Sequence, residues 1–474
     1  MPDEFIGFIE LDGQQCSFLL DERELRVFPS SKEQWEKDKG TGLKKFFDGL
    51  NKVEPPAWVA KKSLHGILYT GQRVTFHVQE NPSWIEGFQS FDVLWLIVYE
   101  RLKEPISEFS GMRMYSNDID YYFPPSKAFQ TVMTTDSATG RPSSFTTSSK
   151  IDTHKWGECQ FSGYAATVDW SSSVTAQTGT AAPLTAKSFV RIDFLSPQSI
   201  ETVWDCYFTF WRFLSYVTYR KNIMHFDVNL VTEMSDGKLY ESAKIVVIAS
   251  DPSLTEERHK KRQSRIMNAS VLGENAKHLL PCLSRNEIYR EHLCPSLDGV
   301  SQHNTARAIM IFAAFESEFY LLYGQDYQRS EDYLDVKRIV IDAIEDIRVD
   351  STGDRKHYAK GFKRTIERMD SSLRDRICAA AQDCQEIMQP FVCDVYNTKN
   401  YNDISEAANR LNAIRNDVAH GNLGFKLEPI NIWDYKILEC LLYAMRLKRT
   451  VHLDSKNAQI AIHNLFGFNL GLDI

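Results

Sequence analysis

The hydrophobic period of this chain changes once, and that change fixes its architecture. Through roughly the first half, apolar and polar residues alternate in short runs, as in Phe5-Ile-Gly-Phe-Ile-Glu-Leu11, the pattern of half-buried strands. From about residue 300 the apolar spacing becomes three and four, as in Ile309, Phe312, Ala313, Phe319, Tyr320 and Tyr323, the period of a helix face. Strands gathered in one half and helices in the other read as α+β, not as alternating α/β. At 474 residues the chain exceeds a single core, so two domains, or a large one and a smaller one, are expected.

The pattern predicts strands at 5–11, 15–20, 24–28, 66–69, 73–78, 91–99, 159–168, 187–195, 224–230 and 239–248. The Ser/Thr-rich stretch 134–150 reads as an exposed loop. One prominent helix follows Ser196, a capping residue, and Pro197, suited to a first helical position. Ile200, Val203, Trp204, Tyr207, Trp211 and Leu214 recur along it at helical spacing. Residues 1–250 thus form a β-rich domain with one packed long helix, and 251–298 a polar, basic connector. Residues 299–474 form an all-α bundle, with main helices at 303–323, 332–347, 357–388, 403–420 and 432–449 and a short tail at 457–465.

A net charge of -8 gives no global signal for polyanion binding, so any nucleic-acid site must be a local basic pocket. The longest apolar runs, such as Val93-Leu-Trp-Leu-Ile-Val98, are too short to span a bilayer. The acidic opening Met-Pro-Asp-Glu-Phe has no basic n-region, so no secretory signal is expected. Nine scattered cysteines without a Cys-x-x-Cys pair fit reduced thiols in a cytoplasm. Phosphate-loop, dinucleotide and zinc-protease motifs are absent from the sequence, and no cofactor or metal is expected. His278, Cys282, His292 and Cys294 lie close in sequence, but their spacing matches no zinc pattern. The run Arg258-His-Lys-Lys-Arg262 reads either as an RNA-facing patch or as a solvated linker face. Lys360, Lys363, Arg364, Arg368, Arg374 and Arg376 make one helix basic at one end, either to guide RNA or as a salt-bridged surface.

The segment richest in chemistry is the helix 403–420, which Gly421 closes. Glu406 stands three residues after Asp403, as in a capping box. Ile404, Ala408, Leu411, Ile414 and Val418 define a buried stripe, and a helical wheel puts Arg415 on it. A guanidinium there needs a carboxylate, carbonyls or a phosphate, and Glu316 is a carboxylate that fits the first role. Asn409, Asn412, Asn416 and His420 gather on a neighbouring face. Arginine grips phosphate with two prongs, and histidine moves protons near neutral pH. Arg415 and His420 stand about 140° apart on an ideal helix. They meet on one phosphate only if the last turn distorts or if two copies share sites across a two-fold axis, the arrangement favoured here. Arg220/His225, Arg446/His452 and Arg285/His292 have similar spacing, and Asn286 also follows Arg285, but none of the three has a Gly right after its histidine.

Arg415, Asn416 and His420 make the segment resemble the HEPN superfamily, whose pattern is Arg-x4-6-His near a helix end, often as Arg-Asn-x3-His. The Phe-Ile-Gly-Phe-Ile-Glu opening, the Ser63-Leu-His-Gly-Ile-Leu strand and the Ser-Pro-Gln-Ser-Ile helix start look similar to the N-terminal domain of ApeA-type proteins. The resemblance implies a metal-independent endoribonuclease of bacterial anti-phage defence, acting by abortive infection. In such an enzyme a ribose 2′-OH attacks the adjacent phosphorus and leaves a 2′,3′-cyclic phosphate and a 5′-OH. By that analogy His420 transfers protons, Arg415 holds the scissile phosphate and Asn416 orients one or the other. It further implies an RNA substrate, a homodimer through the helical domain and a phage-derived trigger sensed by the β-rich domain. The alternatives are a non-catalytic module that binds RNA, nucleotide or protein with the β domain as sensor, or a regulator that only dimerises.

Overall fold

A computed structural model describes residues 5–11, 13–29, 62–79, 83–85, 88–100, 106–136, 139–149, 153–176, 184–234, 236–248, 258–302, 304–324, 331–368, 372–398, 400–419 and 428–468. The chain divides into two compact units. The first holds residues 1–263, 268–270 and 276–285, and the second holds 264–267, 271–275 and 286–474. The connector 251–298 therefore contributes to both.

The first unit begins with β1 (Phe5–Leu11), β2 (Gln14–Asp21), β3 (Glu24–Phe28), β4 (Lys62–Leu68), β5 (Arg73–Val78), β6 (Ser83–Ile85) and β7 (Phe88–Tyr99). Antiparallel pairing runs β7-β3-β2-β1-β4-β5 and returns from β5 to β7, so six strands close a barrel. Alternation along each strand sends one set of side chains inward, and Phe5, Ile9, Phe18, Leu25, Leu64, Phe76 and Phe91 form its core. The β1–β4 seam needs glycine. A Cβ on Gly7 would lie 2.1 Å from the Ile67 carbonyl oxygen, a contact no other residue can make.

β7 belongs to two structures. Its residues 89–92 pair with β3 of the barrel, and 95–99 pair with β15 (Leu239–Val247). From β15 an open sheet continues through β14 (Asp227–Glu233), β8 (Glu108–Tyr115), β13 (Leu184–Ser199), β12 (Ala165–Ala176) and β11 (Thr153–Gln160). Helix α1 (Asn117–Tyr122) follows β8, and the long α2 (Ile200–Thr218) packs on β8 and β13. Their contact is aromatic: Tyr122, Trp156 and Trp170 meet Phe213 with ring centroids 5.1 to 6.2 Å apart. Asp118, fully buried, accepts from buried Arg220 and from Arg262 at 3.3 Å.

Four expectations change here. The Ser/Thr-rich stretch is not all loop; most of it is β10 (Pro142–Ser149), which pairs in a hairpin with β9 (Phe129–Thr135), since β-branched Thr suits a pleated surface. Residues 159–168 are parts of two strands, β11 and β12, separated by a turn in which Gly163 has φ +92°. The long helix starts at Ile200, not at Pro197, because β13 runs to Ser199. A register irregularity between Asp193 and Gln198 lets Pro197, which has no N–H, sit in that strand. Finally, the basic run 258–262 is not wholly solvated. Arg262 is buried against Asp118, and its guanidinium lies 4.9 Å over the Tyr121 ring.

Of the connector's short helices, α3 (His259–Ser264) apart from Ser264 and all of α5 (Leu279–Ser284) fall in the first unit, and α4 (Ala269–Leu272) is divided between the two. The second unit is built on the helices that follow. The main set is α6 (Thr305–Tyr323), α7 (Glu331–Val349), α8 (Gly353–Arg368), α9 (Leu373–Asp383), α10 (Gln385–Val395), α11 (Asp403–Ala419), α12 (Pro429–Arg449) and α13 (Ser455–Phe466). The fold is thus α+β, a β-rich first part followed by helices. The expected single helix 357–388 is three helices. Ser372 and Asp375 cap each other's backbone in a reciprocal box that starts α9 afresh, and α9 stops at Asp383.

α12 is the central helix and packs against α6, α9, α10, α11 and α13. Its buried charges are all paired. Asp434 takes both arms of Arg410 at 2.7 and 2.8 Å, Glu439 takes Arg307 at 2.8 Å, and Arg446 donates Nε to Glu318 at 2.7 Å. Such pairs offset the cost of removing ions from water. Among the described residues no helix is long and apolar enough to cross a membrane.

Candidate functional site

Helix α11 carries the sequence motif as far as Asn416. It begins at Asp403, so Asn402 stands in the capping position that the sequence assigns to Asp403. Ile404, Ala407, Ala408, Leu411 and Ile414 are buried. Arg415 departs from expectation: its side chain is 44% exposed. The wheel direction is right, but at that height the bundle holds a cavity of about 390 Å³ in place of packed side chains. His420 and Gly421 lie outside the described residues, and so does the distance from Arg415 to His420.

Three helices line the cavity. Glu316 and Tyr320 come from α6; Leu373 and Arg376 come from α9, with Ser372 at its cap; Asn412, Arg415 and Asn416 come from α11. Glu316 is the carboxylate expected for Arg415, with Oε1 3.7 Å from Arg415 Nη2. The same oxygen lies 3.5 Å from Arg376 Nη1. Both separations exceed those of a good charge-assisted hydrogen bond, so one carboxylate is shared loosely by two arginines. Arg376, buried, also sits with Cζ 4.6 Å above the Tyr320 ring. Two cations against one anion leave the lining one positive charge in excess, which suits a phosphodiester.

Asn412 and Asn416, which the wheel puts on a face neighbouring that of Arg415, line the same cavity as Arg415, whereas Asn409 is not part of the lining. Sequence reasoning missed Arg376 and Tyr320. The first was read as part of one basic helix end; the available signal was Ser372-x-x-Asp375, which opens a new helix and puts Arg376 in its first turn. For Tyr320 the signal was its position four residues after Glu316, on the same helix face.

No family model, curated protein or solved structure matches this chain.

A larger cavity, about 1070 Å³, lies in the first unit on the outer wall of β1, β4 and β5. His77, a buried histidine in its lining, stacks on Trp95 at 3.5 Å, and its Nδ1 is 3.1 Å from Ser63 Oγ. Burial holds its pKa down at about 4, helped by His65 and opposed by Glu201. His65 and Thr75 make the neighbouring cross-strand pair, at 3.0 Å. These are side chains directly opposite one another in the β4–β5 register, a pairing that stabilises sheets. Among the described residues no group of three or more His, Cys, Asp or Glu could hold a metal ion. None of the nine cysteines is in a disulfide.

Proposed function

We propose that the helical unit is a HEPN-type endoribonuclease whose scissile phosphate is gripped by Arg415. The observation that supports this reading is an exposed arginine, loosely paired, beside Asn416 and a second arginine in a polar cavity. In the proposed reaction the 2′-oxygen attacks phosphorus and the bond from phosphorus to the 5′-oxygen breaks. A base takes the 2′ proton and an acid gives one to the leaving 5′-oxygen. The products are a 2′,3′-cyclic phosphate and a 5′-OH. His420 is assigned the proton transfers from the sequence motif alone. Arg415 stabilises the charge that grows on the phosphoryl oxygens. The chemistry needs no metal, and the β-rich unit senses a phage-derived trigger for abortive infection in the bacterial cytoplasm.

The reading includes a homodimer, and α7 with α8 offers a face for it. Val336, Ile339, Val340 and Ile347 of α7 and Tyr358 and Phe362 of α8 are between 36% and 64% exposed. On a wheel each set lies about 100° from the side where the two helices touch. In an antiparallel hairpin both sets then fall on one side. A contiguous apolar face of this kind marks an interaction surface. The outer flank of α7 carries exposed Asp335, Asp342 and Asp346, and that of α8 carries exposed Arg364. A two-fold axis along the helices sets α7 beside the partner's α8, so acidic meets basic; an axis across them sets acid on acid. A second copy thus complements this face in both apolarity and charge.

Incubation of the full chain with total RNA in EDTA, followed by mapping of cut sites and ends, tests the reading. Cleavage leaving cyclic phosphates, lost in both Arg415→Ala and His420→Ala, is expected. Cleavage retained in both variants overturns it. Binding of RNA without any cyclic-phosphate product favours the non-catalytic module instead.

A further inference from the structure

Resting on the ribonuclease reading, we infer that Tyr320 and Arg376 form a subsite for one unpaired nucleobase next to the phosphate grip. Tyr320 is 48% exposed although it lines the cavity, so part of its ring is open to a ligand. The Arg376 guanidinium over that ring fixes its plane through a cation–π contact. Arg376 cannot drift away from this position, because it is buried and also faces Glu316 at 3.5 Å. It is a positioning residue: it couples the aromatic platform to the carboxylate that Arg415 shares.

The spacing agrees with a nucleotide. Glu316 and Tyr320 are four residues apart on α6, which separates them by about 6 Å along the axis. A phosphate that replaces Glu316 as the partner of Arg415 then lies about one turn from the exposed ring, the reach from a phosphate to its base. Asn412, one turn before Asn416 on α11, supplies amide groups at the same cavity for the edge of the base or the sugar. Proteins read unstacked bases by this combination of aromatic platform and adjacent cations. A base inside a duplex is not free to reach the ring, so the substrate is RNA that is unpaired at the cleaved step.

The test measures binding of a single-stranded RNA oligonucleotide and of the same strand in a blunt RNA duplex to the full chain carrying His420→Ala, together with cleavage kinetics on the active background. Tyr320→Ala is expected to weaken single-strand binding roughly ten- to a hundred-fold, the loss of one stacked base, and to raise KM far more than it lowers kcat. Tyr320→Phe restores most of the affinity because the ring face is kept. Arg376→Lys, which keeps the charge but not the plane, falls between them. Fully paired RNA binds weakly to all variants. Equal single-strand affinity of Tyr320→Ala and the parent overturns the subsite, and so does equal affinity for paired and unpaired RNA. A Tyr320→Phe loss as large as that of Tyr320→Ala does the same, since the hydroxyl would then be what matters. If the parent neither binds nor cuts RNA, the ribonuclease reading itself falls, an outcome separate from these.

Discussion

Helices α7 and α12 are of similar length, 19 and 21 residues, yet they treat polarity in opposite ways. α12 buries Asp434, Glu439 and Arg446 along with its apolar residues. α7 buries nothing, although it carries Leu334, Val336, Ile339, Val340 and Ile347. Burial is therefore not set by side-chain polarity one residue at a time. Charges go inside α12 because each finds an opposite charge there, and paired burial avoids the penalty of an isolated ion. Apolar side chains stay outside on α7 because, among the described residues, only α8 packs closely on that helix. An internal interface explains the first helix, and a second copy is the proposed explanation of the second.

That contrast can be broken or sharpened in four ways. The largest effect belongs to Arg446→Met, which leaves Glu318 buried without its cation and is expected to cost about 3–5 kcal/mol. Urea unfolding of the full chain measures it, and the double change with Glu318→Leu should recover most of the loss. A loss under about 1 kcal/mol for the single change would show the pair to be idle. Next comes the apolar face. Val340→Glu with Phe362→Glu is expected to convert dimers to monomers in sedimentation, while shifting stability by no more than about 0.5 kcal/mol, as exposed positions do. A wild-type chain that sediments as a monomer at all accessible concentrations removes the α7–α8 interface.

Acid gives the third test. Burial pushes Asp383 up, but Lys448, Tyr323 and Arg449 outweigh it with hydrogen bonds and hold its pKa at about 2, below the ordinary 3.8. A depressed carboxylate stabilises the fold above its unfolded pKa and loses that contribution as pH falls through the folded one. The clamp of α9 on α12 should therefore weaken between about pH 4 and pH 2. Asp383→Asn should remove that slope from the stability-versus-pH curve; an unchanged slope assigns acid sensitivity elsewhere. The smallest effect is electrostatic. Reversal of Asp342 and Asp346 to Lys should weaken self-association by about 1 kcal/mol or less at low salt, with the difference fading as salt rises. Association that the reversal does not weaken points to the crossed two-fold arrangement instead, in which like charges face each other before and after the change.

Much of the local structure was legible in sequence, for reasons that lie in particular residues. Alternation in 5–11 fixed both the strand and its inward side chains, whereas the 3-4 spacing of 303–323 gave the helix α6 but not its buried face, since Ile309 and Tyr320 are exposed and Ile311, Phe315 and Glu318 are buried. The break in 357–388 was also legible in principle, through Ser372 and Asp375, but the helix-forming residues on either side concealed it. Pro197 misled, because a proline after a serine fits a helix start as well as an irregular strand. At the site, the approach of Glu316 to Arg415 followed from the need of a guanidinium for a partner. The exposure of Arg415 did not, since a wheel gives direction and says nothing about what stands opposite.

Sequence alone determined the periods, the α+β division, the motif Arg415, Asn416 and His420, and the absence of a polyanion-binding charge excess. Only the tertiary structure decided that β5 returns to β7 to close a barrel. It also decided that Arg262 is a core residue, and that Arg376 and Tyr320 share a cavity with Arg415. The physical reason is range. Periodicity and capping act within one turn or one strand, whereas a cavity is made by three helices whose side chains are 36 to 100 residues apart in sequence. Which residues face one another across such a distance is settled by packing, and packing is a property of the whole fold.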